Sequence, residues 1–246
     1  MFLSCFSKFY TEVLVAAAAS TKYAMEEIAS QYERETGTKI KLVFGSSGQF
    51  YTQIMQGAPF SLFLAADEEF VLKLSEAKGW DKGHVYVEGR LVLLMPSTHS
   101  ESFGISSTSP LDSLSEMLNR GQIKKFAIAN PEHAPYGKAA VQALKKAGLW
   151  DRIEPKLVYG ENVSQAAQFA LSGSTQGGLA AYSLALVPAV KEKSTYYLID
   201  ASLHEPLRQR MILIKDLPQT REFYAYLRGP EAKSIFERYG FFVPLE

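Results

Sequence analysis

Two serine-bearing junctions constrain the fold of this chain more than any other feature: AAAAST at residues 16–21 and GSSG at residues 45–48. Each follows an apolar run and precedes a run with helical spacing. Before the first, residues 12–19 read as a buried strand. After it, Ala24, Ile28 and Tyr32 fall four apart with Met25 and Ala29 beside them, which predicts a helix over 21–35 that Gly37 ends. Before the second, Ile40, Leu42 and Phe44 alternate, so 39–44 reads as a strand, and a short helix is expected over about 49–56. Strand, helix and strand in that order call for a crossover between parallel strands. A serine at each strand-to-helix junction gathers backbone N–H groups and a hydroxyl around one point. The unpaired donors and the dipole of a helix start favour an anion there.

The alternation continues. Strands are expected over 61–66, 90–95, 124–129, 156–159, 178–182 and 196–199, with 210–214 as the last. Asp67 is read as the N-cap of a helix carrying Phe70, Val71 and Leu74, and further helices are expected near 138–147 and over 162–171, 219–228 and 231–238. The Ser/Thr-rich stretch 97–109 reads as a loop, and the two prolines and the glycine of NPEHAPYG (130–137) predict irregular chain before the next helix. This order specifies an α/β protein with a parallel or mixed sheet and helices on both faces, whose ligands bind at the carboxyl ends of strands.

Composition removes several function classes. Lys plus Arg and Asp plus Glu each number 26, so the chain lacks the basic excess of a nucleic-acid or anionic-membrane binder. The one cysteine, Cys5, allows no intramolecular disulfide, and the longest apolar runs are too short to span a bilayer. Residues 1–10 are expected to be an N-terminal tail or the remnant of an export signal, and Phe2-Leu3-Ser4-Cys5 resembles a lipoprotein cleavage site. For an enzyme, Ser20 or Ser47 would serve as nucleophile, but neither lies in a Gly-x-Ser-x-Gly. A base would have to come from His84, His99, His133 or His204, of which only His133 is near a candidate loop. Cys and His are not paired for zinc, and the glycine-rich loops match neither the Walker nor the dinucleotide fingerprint. Taken singly, Ser20 is an ordinary helix cap, GSSG a turn, Tyr182 a core aromatic and Val163 a helix-face residue.

Together the pieces carry more. VLVAAAAST (13–21), FGSSG (44–48), QIMQGAPFSLFLAADEEF (53–70), ANPEHAPYGKAA (129–140), ALKKAGLWDRIEPKL (143–157), ENVSQA (161–166) and FYAYLRGPEAKSIFERYGF (223–241) resemble, in order, the periplasmic molybdate-binding proteins of bacterial ABC importers. The resemblance implies the type II periplasmic-binding-protein fold, two α/β lobes joined by two crossing strands with an oxyanion in the cleft. Lobe one is then 11–89 with 206–246, lobe two is 90–205, and the hinge lies near 88–90 and 205–210. The implied ligands are Ser20 and Ser47 through hydroxyl and backbone N–H, Tyr136 and Val163 through backbone N–H, and Tyr182 through its phenol, which falls one residue later than the usual spacing. The resemblance also implies a monomeric, non-enzymatic periplasmic or lipid-anchored protein that delivers molybdate or tungstate to a membrane permease. It needs no cofactor and coordinates no metal directly, because the metal enters as its oxyanion. The alternatives are a protein for another tetrahedral oxyanion such as sulfate or chromate, a serine-dependent enzyme, or an effector-sensing domain. No DNA-binding segment accompanies the last, and the matched positions offer no Asp or Glu for a carboxylate-coordinated site.

The implied donors are all neutral. A fully ionised oxyanion accepts from each of them, whereas a protonated one leaves its own proton without an acceptor, at a cost of about 1–3 kcal/mol.

Overall fold

The computed structural model describes residues 12–99 and 104–244, so the tail 1–10 with Cys5 lies outside the described residues. Ten strands form two five-stranded sheets. The first contains β1 (Val13–Ala18), β2 (Ile40–Gly45), β3 (Leu62–Leu64), β4 (His84–Gly89) and β10 (Leu207–Leu213), in the order β2-β1-β3-β10-β4. The second contains β5 (Leu91–Pro96), β6 (Phe126–Ala129), β7 (Leu157–Gly160), β8 (Gly178–Ala181) and β9 (Ser194–Leu198), in the order β7-β6-β8-β5-β9. In each sheet four strands run one way and one runs against them: β10 pairs antiparallel with β3 and β4, and β5 with β8 and β9. Only Arg90 separates β4 from β5, and the chain returns between β9 and β10.

The strands of β1 are apolar without alternation because both faces are covered: Val15, Ala16 and Ala17 are wholly buried. Helix α1 (Lys22–Thr36) buries Ala24, Met25, Ile28, Ala29 and Tyr32, the face given by its spacing, and Gly37 closes it in the left-handed conformation at φ 72°. Helix α2 (Ser47–Met55) follows β2, and α3 (Glu69–Lys78) follows β3.

Several local expectations change. Strand β4 and the helix Pro110–Asn119 have no counterpart in the sequence reading, and within the stretch 97–109 residues 97–99 are already helical. The helix expected near 138 begins at Pro135. Proline at the first helical position sacrifices no hydrogen bond, so it starts this helix rather than delaying it. Asp67 lies one residue before the N-cap, Glu68, and its Oδ1 accepts from Phe70 N at 3.4 Å. The strand expected over 178–182 stops at Ala181, and Tyr182 opens the short helix Tyr182–Ala185. The final strand starts at Leu207, three residues before the expected position, and its ladder with β4 is irregular: Gln209 pairs with Val87 and Arg210 with Val85, so Tyr86 is skipped.

Candidate functional site

Neighbouring parallel strands deliver the junctions in pairs. Ala18 of β1 lies opposite Gly45 of β2, which puts Ser20 and Ser47 side by side just past the strand ends. In the second sheet Ala129 of β6 lies opposite Gly160 of β7, which does the same for the starts of the helices Pro135–Lys146 and Val163–Leu171. The two pairs face each other across a small cavity of about 10 Å³. Ser20, Ser46, Ser47, Tyr136, Asn162 and Val163 line it together with Ala18, Ala19, Gly45, Ala66, Ala134 and Pro135, so no ionisable acid or base other than a phenol is among them.

The donors at each junction follow from local hydrogen bonding. The Asn162 side chain caps its helix by accepting from Ser164 N and Gln165 N, which leaves Val163 N–H as the first-turn donor without an acceptor in its own helix. Pro135 has no N–H, while Gly137 N and Lys138 N both reach Ala134 O, so Tyr136 N–H is left in the same position. Ser47 heads α2, and its Oγ accepts from Ala66 N at 2.8 Å. A hydroxyl whose lone pair is taken by an N–H keeps its own proton for the cavity. Ser20 sits in a one-turn 3₁₀ segment, Ala19–Thr21, and its Oγ lies 3.4 Å from Gln209 Nε2 and 3.5 Å from Gln209 Oε1. The cavity is thus edged by backbone N–H groups at Ser20, Ser47, Tyr136 and Val163 and by two serine hydroxyls.

The fifth expected ligand is not brought there. Tyr182 is absent from the lining residues, and its ring lies against Tyr196 with centroids 5.4 Å apart, close to Gly240. Its backbone N–H is taken by Arg90 O at 2.9 Å. Because β8 ends one residue earlier than expected, Tyr182 turns into this aromatic contact. Its neighbour reaches the site instead, with Ser183 Oγ donating to Ser20 O at 2.7 Å.

The two halves are pressed together around the cavity. Gly48 N donates to His133 O at 2.9 Å, and Ser164 Oγ donates to Ala19 O at 3.0 Å. His133 Nδ1 contacts Ser46 Oγ at 2.9 Å, and Gln49 Nε2 donates to Glu161 Oε2 at 2.8 Å. Outside the cavity Lys138 pairs with Glu69 at 2.8 Å, and the lysines Lys138 and Lys73 hold the Glu69 carboxyl down to about 2. Gly48 is the point of closest approach: a Cβ there would sit 2.8 Å from His133 Cβ and 2.9 Å from its backbone.

Beneath Ser20 lies a polar cluster that the sequence reading did not identify. Gln209 is wholly buried, accepts from Tyr86 Oη at 3.0 Å, and donates to Tyr136 Oη at 3.3 Å. Tyr136 crosses from the second half to reach it, and fits because Gly89 has no side chain: a Cβ there would fall 2.0 Å from the phenol oxygen. Burial pushes both phenols well above their ordinary value, for Tyr136 against the opposing hydrogen bonds it shares with Ser20 and Gln209, so both remain protonated. Period-two spacing of Leu207, Gln209 and Met211 was the available signal, since it sets Gln209 on the same face as two apolar residues.

A family model of bacterial extracellular solute-binding proteins matches residues 13–242. The molybdate-binding protein ModA of Azotobacter vinelandii is 37% identical over 237 residues, spanning 94% of this chain and 89% of that protein. ModA of Rhodobacter capsulatus is 35% identical over 236 residues, spanning 94% and 88%. The solved periplasmic molybdate-binding protein of Azotobacter vinelandii superposes with a TM-score of 0.83 at 28% identity, covering 95% of this chain and all of that one. These proteins bind solutes rather than catalyse reactions, and by fold, extent and identity the chain belongs to the bacterial extracellular solute-binding proteins, in the group that contains the ModA proteins.

Proposed function

We propose that this protein binds molybdate, and tungstate equally, as a tetrahedral oxyanion in the cavity between its two halves, and presents it to an ABC-importer permease. The observation that carries this reading is the donor set. Four helix-start N–H groups and two serine hydroxyls surround a cavity with no lysine, arginine, aspartate or glutamate in its wall. Hydrogen bonds to a charged acceptor contribute about 1.5–3 kcal/mol each, so such a set supports tight binding after the costs of association. Relatives at 32–37% identity named for molybdate binding support the choice of anion.

The ligand residues in this reading are Ser20, Ser47, Tyr136 and Val163. The lobes are 11–89 with 206–246 and 90–205, closing about the crossings near 88–90 and 205–210, and the closed form is what the permease recognises. The protein works as a monomer outside the cytoplasmic membrane and needs no cofactor.

Calorimetric titration of anion-stripped protein with molybdate, tungstate, sulfate and phosphate tests it. One-to-one binding of the first two, with sulfate and phosphate weaker by about 100-fold or more, is the expected result. Sulfate binding as tight as molybdate, or no binding of any of the four, overturns the assignment.

A further inference from the structure

We propose that Gln209 is a positioning residue that fixes Ser20 as a proton donor to the bound anion, and so governs discrimination between fully ionised and protonated oxyanions. The inference rests on the reading of the cavity as an oxyanion site.

Gln209 is held by three hydroxyls from different parts of the chain: Ser20 after β1, Tyr86 of β4, and Tyr136 from the opposite half. Its amide has two orientations with opposite consequences. In one, Nε2 donates to Ser20 Oγ at 3.4 Å and to Tyr136 Oη at 3.3 Å, while Oε1 accepts from Tyr86 Oη at 3.0 Å and stands 3.5 Å from Ser20 Oγ, the longest of the four contacts. A lone pair of Ser20 is then occupied, and its proton can turn to an anion in the cavity in place of that longest contact. In the reverse orientation Oε1 takes the Ser20 proton, and Ser20 offers the cavity a lone pair. That pocket would welcome an anion still carrying a proton.

Tyr86 favours the first orientation. Its hydroxyl reaches Gln209 Oε1 at 3.0 Å, while Ala65 O, the other acceptor beside it among the described residues, lies farther at 3.3 Å. Reversing the amide moves the Tyr86 proton onto that longer contact in a fully buried place, where poorly made hydrogen bonds are costly. The irregular ladder opposite Gln209 is what frees Tyr86 to make this contact, because Tyr86 is the residue the register skips. Tyr136 completes the set only when the halves meet, so polarity and closure are established together.

The experiment compares dissociation constants for molybdate and for inorganic phosphate, which carries at least one proton near pH 6. It uses the full chain as wild type, Gln209→Glu, Ser20→Ala and the double variant. Glutamate keeps the shape of glutamine but offers only acceptors when ionised, so it captures the Ser20 proton. Gln209→Glu should narrow the molybdate-to-phosphate preference by about tenfold or more, and the narrowing should disappear in the Ser20→Ala background. A narrowing that persists without Ser20 is plain charge repulsion from the new carboxylate and overturns the proposal, as does an unchanged preference. If Gln209→Glu fails to fold, Tyr86→Phe carries the same comparison without adding charge. It should narrow the preference by about threefold with Ser20 present and not without it, and equal effects in both backgrounds overturn the proposal. Wild-type protein that binds no molybdate overturns the reading of the site and this inference with it. Wild-type protein that binds while the variants keep its preference overturns this inference alone.

Discussion

Ser20 and Ser47 occupy matching places, one past each of two paired parallel strands, yet they are held by different means. Ser47 Oγ receives the backbone N–H of Ala66 at 2.8 Å, a donor fixed by the main chain after β3. Ser20 Oγ receives a side-chain amide at 3.4 Å, and that amide is itself held by two phenols. A backbone N–H cannot become an acceptor, so Ser47 is a permanent donor to the cavity. Ser20 donates only as long as Gln209 keeps its orientation. Two serines that look interchangeable in the sequence are therefore a rigid half and an adjustable half of one site.

Blocking the approach that both serines depend on should have the largest effect. Gly48→Ala places a methyl group 2.8 Å from His133 Cβ and 2.9 Å from the His133 backbone, which has no flexible end to move aside. The halves then cannot meet without giving up the Gly48 N to His133 O bond. Molybdate affinity should fall by about 100-fold or more, while the thermal midpoint of the ligand-free protein changes little. Wild-type affinity in this variant would show that binding does not require the closed form.

The comparison itself is sharpened by truncating each serine. Ser47→Ala should weaken molybdate binding by more than about tenfold, and Ser20→Ala by severalfold less, because a pre-oriented donor loses more when removed. Their stabilities should diverge too. Ser47→Ala strips the Ala66 N–H of its acceptor in a buried place and should cost about 1–3 kcal/mol by denaturant unfolding, whereas Ser20→Ala leaves Gln209 with both phenols. Equal losses of affinity and stability in the two variants would erase the distinction between the halves.

A smaller effect is expected beside the rigid half. Asp67 follows Ala66, and burial pushes its carboxyl up from the ordinary 3.8 to about 6, against the hydrogen bond from Phe70 N. The folded protein therefore holds a proton there that the unfolded chain releases above about pH 4. The stabilisation from that proton is complete below about pH 4 and is lost as pH rises through about 6, beyond which the fold bears a partly buried charge. Asp67→Asn removes the charge. It should raise stability at pH 7 by about 2 kcal/mol and flatten the pH dependence between about 4 and 6, as followed by thermal melts. Stability that still falls across this range in the variant would assign the titration to another group.

The parts of the site that the sequence made legible are those whose positions are set locally. Ser20 and Ser47 are each tied to the place where an apolar run gives way to a helix, and such neighbouring junctions meet whenever their strands pair in register, whereas Tyr136 and Val163 were expected only from the family resemblance. The parts that were not legible depend on distant elements. Strand β4, HVYVEG, is short and mixes His and Glu with its apolar residues, so it becomes a strand by pairing with β10. Gln209 stands between two arginines in RQR and reads as surface, although its face of β10 is buried by residues more than a hundred positions away. The start of the helix at Pro135 was hidden because proline breaks a helix everywhere except in its first turn, and the local sequence does not show which turn this is.

Tyr182 is the case where a local shift decides a role, and it yields the smallest expected effect. The resemblance places its phenol on the anion, while the structure turns the ring onto Tyr196, with Arg90 O fixing its backbone. Burial and the neighbouring Tyr196 both raise its pKa, which suits a phenol packed among aromatics. If the rigid and adjustable serines with the Tyr136 and Val163 N–H groups make up the site, then Tyr182→Phe removes nothing the anion touches. Its molybdate affinity should stay within about twofold of wild type. A loss of tenfold or more would mean that the Tyr182 phenol swings into the cavity when the anion arrives. The second half of the molecule would then contribute an adjustable donor of its own, opposite Ser20, and the asymmetry would lie across the cleft rather than between the two serines.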